Sequence, residues 1–416
     1  MQNRMKMMIE ANQTLARIES VNDLLTHFMA LGKEITDAEA CSVMLYNPEK
    51  KVLEFKSVKD EIVGEEADDI LKSTVELKVG EGIAGWVAKV REPVLVKDAQ
   101  KDDRLYKQAD QKTGFITRNL IAVPVLHQNE LLGVIEALNS KSKTCFDDED
   151  LDILEGFANL AAVAIIRARL LDFRLKQQKI QVQLNTASKI QSLFLPSISD
   201  IGSLEKIWAL SEPAGSVGGD LYDIIPMRDE SIFFYVGDVS DKGLPAALIM
   251  AALSFRIRGE VYRSKDVAKI LGYVNDAMYE LLSEEGYFAT IILGKYWPLK
   301  GSMHLVNAGH LPPIRIINNE VGEIPTVRGL PVGIDKNVCY QRTELSLSAG
   351  ESVILLTDGV TEAENEAGEL FGNKRIELCI KENEGSPVSK GIVKKVKEWR
   401  GRADVNDDLT ILEIWR

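Results

Sequence analysis

Cysteine and histidine are scarce in this chain of 416 residues, four of each. Cys41, Cys145, Cys339 and Cys379 are widely separated and form no Cys-x-x-Cys pair, so a zinc site and a disulfide framework both lack support. Reduced, buried thiols are the plain expectation. No apolar run approaches the ~20 residues that a membrane span needs. The most apolar helix-like stretch, Leu244–Phe255, reads as a buried core helix. Met1–Glu10 lacks the apolar core of a secretory leader, so a cytoplasmic protein without a membrane role is expected. A Walker-type phosphate loop is missing too, which leaves a kinase or NTPase without sequence support. Basic residues are outnumbered, 50 Lys and Arg against 63 Asp and Glu. With a net charge of −13, nonspecific binding to nucleic acid is not expected.

What the chain has instead is acidic residues in turn-like settings. Four motifs stand out in its second half: Gly218-Gly219-Asp220, Gly237-Asp238-Val239, Thr357-Asp358-Gly359 and Asp407-Asp408-Leu409-Thr410. Each places an Asp beside a glycine or at the edge of an apolar, strand-like run. Asp-Gly alone is a turn signal. Here, however, Phe233–Val236 leads into Asp238 and Val353–Leu356 leads into Asp358, while Asp-Asp-Leu-Thr precedes the last strand. Carboxylates held at strand ends can converge on hard divalent cations such as Mg²⁺ or Mn²⁺, and a pair of such ions can activate water and clamp a phosphoryl oxygen.

The length predicts two or three domains. Ala16–Glu34 has helical spacing, and Ser42–Lys56 reads as two strands around the Asn47-Pro48 turn. Val75–Leu77, Pro93–Val96, Leu120–Val125 and Leu132–Asn139 are strand-like, which would fit a mixed sheet with a helix on each side. A long helix over 150–196 follows. Its heptads place Val163, Leu170, Gln177, Leu184 and Gln191 at a, and Ile166, Phe173, Ile180, Ala187 and Phe194 at d. Such a seam predicts a coiled coil, the alternative being one amphipathic helix lying on its own domain. Pro196 ends it. Beyond it, strands are predicted at Ile232–Gly237, Thr290–Lys295, Met303–Asn307, Ile314–Ile317, Ser352–Leu356 and Leu409–Trp415. Helices are predicted at Leu244–Val261, Ser264–Leu282, Phe371–Glu382 and Ser386–Gly401, giving an α+β layered fold.

Residues 15–168 resemble a GAF sensor domain. The likeness rests on Val79–Trp86, Asn119–Val125, Gly133–Asn139 and Phe146–Asp150. Cyclic-nucleotide-binding members carry an Asn-Lys…Phe…Asp-Glu signature, but here Ser140 separates Asn139 from Lys141 and Leu151 follows Asp150. The GAF ligand is therefore left unknown, or none.

Residues 205–416 resemble the SpoIIE/RsbU branch of the PPM (PP2C-like) serine/threonine phosphatases. The matching stretches are Val217–Asp223, Gly237–Gly243, Asn307–His310, Gly329–Gly333, Leu356–Ala363 and Asp407–Thr410, in the family's order. The resemblance implies a PPM-type layered β-sandwich flanked by helices and two Mn²⁺ or Mg²⁺ ions. Asp238 would bridge both, with the Val239 carbonyl on one; Asp358 and Asp407 would complete the other, and Asp220 would act directly or through water. These residues would work by activating water for attack on phosphorus. Gly219, Asp408, Thr410 and His310 would support them, and Asp408 stands where relatives often have Asn. His310, in a turn ending in two prolines, is expected to orient that turn more than to donate a proton. Arg256, Arg258 and Arg263 are expected to be solvated or salt-bridged, and Asp241 is left outside the ligand set.

The domains expected are 1–162, a GAF-like sensor; 163–196, a coiled-coil linker helix; and 197–416, the phosphatase domain. The implied function is a metal-dependent protein serine/threonine phosphatase, dimeric through the linker and regulated by the GAF domain. Its implied substrate is a phosphorylated STAS-type anti-sigma-factor antagonist in bacterial partner switching. A catalytically weak pseudophosphatase signalling by contact is the alternative. A nucleotide phosphodiesterase is disfavoured because histidine-rich metal motifs are missing.

Overall fold

The computed structural model describes residues 21–60, 76–196, 206–382, 385 and 387–416. The chain divides into two compact units, 1–179 and 180–416. The expected helix start at Ala16 and strand start at Val75 lie outside the described residues.

The first unit runs α1 (Val21–Thr36), β1 (Ala38–Asn47), β2 (Val52–Asp60), β3 (Glu76–Lys78), α2 (Gly82–Val90), β4 (Val94–Val96), α3 (Lys107–Thr113), β5 (Leu120–His127), β6 (Glu130–Ser140) and α4 (Asp148–Gln191). Its strands form one sheet in the order β3-β2-β1-β6-β5-β4. Every pair is antiparallel, which corrects the expectation of a mixed sheet. Tight turns account for two of these pairs, β1–β2 and β5–β6, since strands joined by a short turn run antiparallel. Gln128 and Asn129, both with positive φ, turn β5 directly into β6. Asn47 accepts the Glu49 and Lys50 amides to turn β1 into β2.

Period-2 alternation then covers both faces. Val43, Ile121, Val123, Ile135 and Ala137 pack against Phe157, Ala161 and Ile165 of α4. Met44, Leu53, Leu120, Ala122 and Val134 pack with Ile83, Ala84 and Val87 of α2.

The second unit adds β7 (Ile207–Glu212), β8 (Leu221–Pro226), β9 (Ile232–Val239), α5 (Leu244–Val261), α6 (Val267–Leu282), β10 (Ala289–Trp297), β11 (Ser302–Ala308), β12 (Ile314–Ile317), β13 (Glu320–Glu323), β14 (Arg328–Gly329), β15 (Thr343–Ser346), β16 (Ser352–Leu356), α7 (Asp358–Thr361), α8 (Gly372–Glu382), α9 (Val388–Arg400) and β17 (Leu409–Trp415). One sheet has the order β14-β11-β10-β9-β8, with β15 also on β11; the other is β13-β12-β16-β17-β7.

Three apolar layers hold this unit together. Phe234, Val236, Ile292, Leu305, Val353, Leu355, Leu412 and Ile414 fill the space between the sheets. Phe233, Tyr235 and Ile291 face α5 and α6 on one outer side, while Ile354, Ile411 and Leu409 face α8 and α9 on the other. The result is a β-sandwich flanked by helices, as the family resemblance implied.

Candidate active site

Strand alternation explains why acidic residues from distant parts of the chain share one place. On β9, Ile232, Phe234 and Val236 point between the sheets, and Asp238 continues their phase. On β8, Tyr222 and Ile224 do the same, which puts Asp220 on that face just before the strand. Val353 and Leu355 set the phase of Thr357 after β16, and Leu412 and Ile414 set that of Thr410 on β17 and of Asp408 just before it. Asp358 and Asp407 each sit one residue from these, at the mouth of the same gap between sheets.

Hydrogen bonds sort these groups into supports and candidate ligands. Asp408 is nearly buried and its carboxylate accepts the amides of Ala214 at 2.7 Å, Gly219 at 2.6 Å and Asp220 at 3.3 Å. It thus ties the loop before β8 to the start of β17. Close approach is essential here: a Cβ on Gly218 would lie 2.4 Å from Asp408 Oδ2, and one on Gly359 would lie 1.9 Å from the Asp408 carbonyl oxygen. Thr357 donates its hydroxyl to Asp220 Oδ2 at 2.8 Å and accepts the Thr410 amide at 2.9 Å. Sequence reasoning passed over Thr357; its phase on β16 was the available signal.

The remaining carboxylates are not neutralised by one another. Burial, then the charges of Asp358, Asp407 and Asp408, push Asp238 up to about 7, only partly offset by Lys242. Asp220 is raised well above the usual range, first by burial and then by Asp238 and Asp408, while Thr410 and Thr357 pull the other way. Asp358 is raised by burial and by Asp407. Like charges held together in a partly desolvated place are costly unless a cation joins them.

An all-oxygen donor set with uncompensated negative charge fits a hard divalent ion. Among the described residues, however, no three acidic, histidine or cysteine side chains already stand as a closed ligand set. A hard ion needs only one or two carboxylates, completed by backbone carbonyl and water. The Val239 side chain is buried on the opposite side of β9, against α5, as expected for a residue contributing only its backbone.

His310 lies farther back. Asn307 holds the turn by accepting the His310 amide at 2.8 Å and donating to its carbonyl at 3.1 Å. The buried imidazole, lowered to about 4 by desolvation, places Nδ1 2.9 Å from the Thr290 hydroxyl. Thr290 is the residue opposite Asp238 in the β9–β10 ladder. The three arginines are all engaged with carboxylates. Arg258 grips buried Asp223 through two nitrogens at 2.5 and 2.9 Å. Arg256 and Arg263 both reach Glu260, at 3.1 and 3.4 Å. Asp241 adopts φ 72° and accepts the Lys242 amide, so it serves the turn. A left-handed residue there explains why glycine suits that position.

Two further residues touch the site without having been assigned to it. Lys242 brings its ammonium to Asp407 Oδ2 at 3.0 Å. Gln191, at the end of α4, pairs its carboxamide with the Gly218 backbone, donating to the carbonyl at 2.5 Å and accepting the amide at 3.2 Å. The heptad phase had placed Gln191 on a coiled-coil seam. An amide side chain that reproduces a backbone pairing finds a better partner in the buried Gly218 backbone than in an apolar seam.

Known proteins match both parts of the chain. The family described as GAF domain matches residues 19–166, and that described as Stage II sporulation protein E (SpoIIE) matches residues 228–416. Protein IcfG of Synechocystis sp. is 29% identical over 268 residues, 57% of this chain and 42% of that protein. Phosphoserine phosphatase RsbU of Bacillus subtilis is 27% identical over 194 residues, 46% of this chain and 57% of RsbU. This chain thus spans about half the length of these relatives. Among solved structures, the SiaA-PP2C domain of Pseudomonas aeruginosa aligns with a TM-score of 0.52 and 27% identity, covering 58% of this chain and 98% of that domain.

Proposed function

We propose, from the premise that this chain belongs to the GAF family in its first unit and the SpoIIE-type PPM phosphatases in its second, that it is a metal-dependent protein phosphatase acting on phosphoserine or phosphothreonine. The observation that carries this is that the fold gathers the carboxylates of Asp238, Asp358, Asp407 and Asp408, from three separate segments, close enough to repel one another. Asp238, Asp358 and Asp407 with the Val239 carbonyl would hold two Mn²⁺ or Mg²⁺ ions, and Asp220 would act directly or through water. Such ions acidify water and offset charge on phosphoryl oxygens. The chain's own contribution is placement: Asp408 sets the Asp220 loop, and Thr357 orients the Asp220 carboxylate.

The likeness to the phosphoserine phosphatase RsbU supports a phosphorylated protein substrate, which we take to be a STAS-type anti-sigma-factor antagonist in partner switching. No helix among the described residues is long and apolar enough to cross a membrane. We place the protein in the cytoplasm.

Residues 163–196 would link sensing to catalysis. The seam residues Val163, Leu170, Phe173 and Ile180 are exposed on the single chain, a stripe suited to the same helix of a second copy. Gln191 then connects the end of that helix to the loop bearing Asp220. A change in the helix pair would thereby favour one of two positions of Gly218. Leu184→Glu should lower the sedimentation mass from dimer to monomer and alter regulation; a monomeric wild type removes this linker reading.

The direct test is phosphate release from a phosphoserine protein by the full chain, with and without Mn²⁺. Mn²⁺-dependent turnover is expected. Mn²⁺ binding with no turnover on any phosphoprotein would favour the pseudophosphatase.

A further inference from the structure

Lys242 lies in the loop between β9 and α5, between Asp241 and Gly243, whose φ angles are 72° and 78°. Positive φ on either side marks a sharp turn of the backbone at Lys242. The ammonium donates to the Asn406 carbonyl at 2.5 Å and to Asp407 Oδ2 at 3.0 Å. Its charge also bears on Asp238, Asp358 and Asp408. The side chain nevertheless remains 62% exposed. An ion pair that open to water adds little to folding stability. A structural role therefore explains poorly why a cation stands at the mouth of this site.

We infer that Lys242 is a substrate-binding residue whose ammonium holds a phosphoryl oxygen, and that its pairing with Asp407 is the resting arrangement when no cation occupies the carboxylates. The inference rests on the phosphoryl-transfer reading of the site and goes beyond it by naming a protein group that touches the substrate. A divalent ion at Asp407 competes with the ammonium for that carboxylate and weakens their pairing. The lysine stem, rooted in the loop directly after β9, keeps the ammonium within side-chain reach of the same place. A phosphate monoester bound there presents negative oxygens to it. Arg256 and Arg258 of α5 and Arg263 just beyond it do not compete for this task, because all three already pair with Asp223 or Glu260. Lys242 also restrains metal binding in the resting protein, since it and the ion seek one carboxylate.

Two linked effects of Lys242→Met in the full chain test this. Calorimetry with Mn²⁺ alone should show binding a few-fold tighter than wild type. Calorimetry of the Mn²⁺-loaded protein with inorganic phosphate should show binding about tenfold weaker, the scale of one charge-assisted hydrogen bond. With p-nitrophenyl phosphate the loss should fall on KM and leave kcat within about threefold. Lys242→Arg, which keeps the charge, should recover most of the phosphate affinity. Unchanged phosphate binding in Lys242→Met overturns the inference, as does a parallel fall in Mn²⁺ affinity, which would mark a structural role. A Mn²⁺-loaded wild type that binds no phosphate overturns it as well. Absence of turnover on phosphoproteins, with phosphate binding intact and dependent on Lys242, would sink only the phosphatase reading.

Discussion

Each unit buries a polar cluster where strands meet loops, and the two clusters are treated in opposite ways. In the first unit, Asn139 accepts the Arg118 amide at 2.7 Å and donates to Glu39 at 2.8 Å and to the Ile116 carbonyl at 2.9 Å. Asn119 accepts the Ser140 amide, and Arg118 pairs with Glu39 at 2.7 Å. Although burial opposes it, the Arg118 and Asn139 bonds hold Glu39 below its ordinary range. Every member has a partner, and the cluster closes the loop between α3 and β5 onto the end of β6. In the second unit, Asp220, Asp238 and Asp358 are all pushed up, with one exposed ammonium among them. A satisfied buried network specifies structure; a frustrated one stores affinity for what is to be bound.

Asp238→Asn should have the largest consequence. Phosphatase activity should drop on the order of a thousandfold, while the metal-free protein should melt at a higher temperature because one repelling charge is gone. Each kcal/mol recovered corresponds to about 2–4 °C in a domain of this size. Calorimetric melting in chelator checks it; a lower melting temperature would mean that Asp238 is already well paired.

Asn139→Ala should act in the opposite sense. Removing a fully bonded amide strands buried partners and should cost about 1–3 kcal/mol, read as a lower urea midpoint of the first unit's transition. An unchanged midpoint would show the network to be ornamental.

Glu136 is the first unit's exception. Burial raises it to about 7 from 4.5, with the Ser42 hydroxyl pulling it down and Asp110 pushing it up. The folded state then binds the proton more tightly than the unfolded chain, so stability should fall as pH rises between those two values and level off above 7. Glu136→Gln should flatten this slope in urea titrations across that range. A slope that survives the substitution belongs to another group.

The smallest effect expected is that of Gln191→Ala. Each bond to Gly218 is worth about 0.5–1.5 kcal/mol net, which sets a roughly threefold to tenfold change in the Mn²⁺ concentration for half-maximal activity. No change would leave the α4 end without a role at the Asp220 loop.

Much of the fold could be read from period and turns. β12, β16, β17 and α5 lie where apolar alternation and helical spacing placed them. β8 was not expected from sequence: its run carries Asp223 and ends on Pro226, and the buried Asp223 is paired by Arg258, 35 positions away. β15 was missed because its residues alternate between half-buried and exposed at a sheet edge, leaving no apolar signal. The four acidic motifs were visible, and strand phase explains why the sandwich gathers them. Lys242 and Gln191 could not be assigned from sequence, since their roles depend on partners brought together only by the fold. Gln191 illustrates the limit of periodicity, because heptad phase does not reveal a loop waiting beside the helix end.

Anomalous diffraction from crystals of the full chain soaked in Mn²⁺ would decide whether the frustrated cluster is a cation site. Manganese peaks bounded by the carboxylates of Asp238, Asp358 and Asp407, with Lys242 turned away from Asp407, are the expected result. Saturating Mn²⁺ with peaks only elsewhere on the molecule, and the Lys242–Asp407 pair intact, would overturn it.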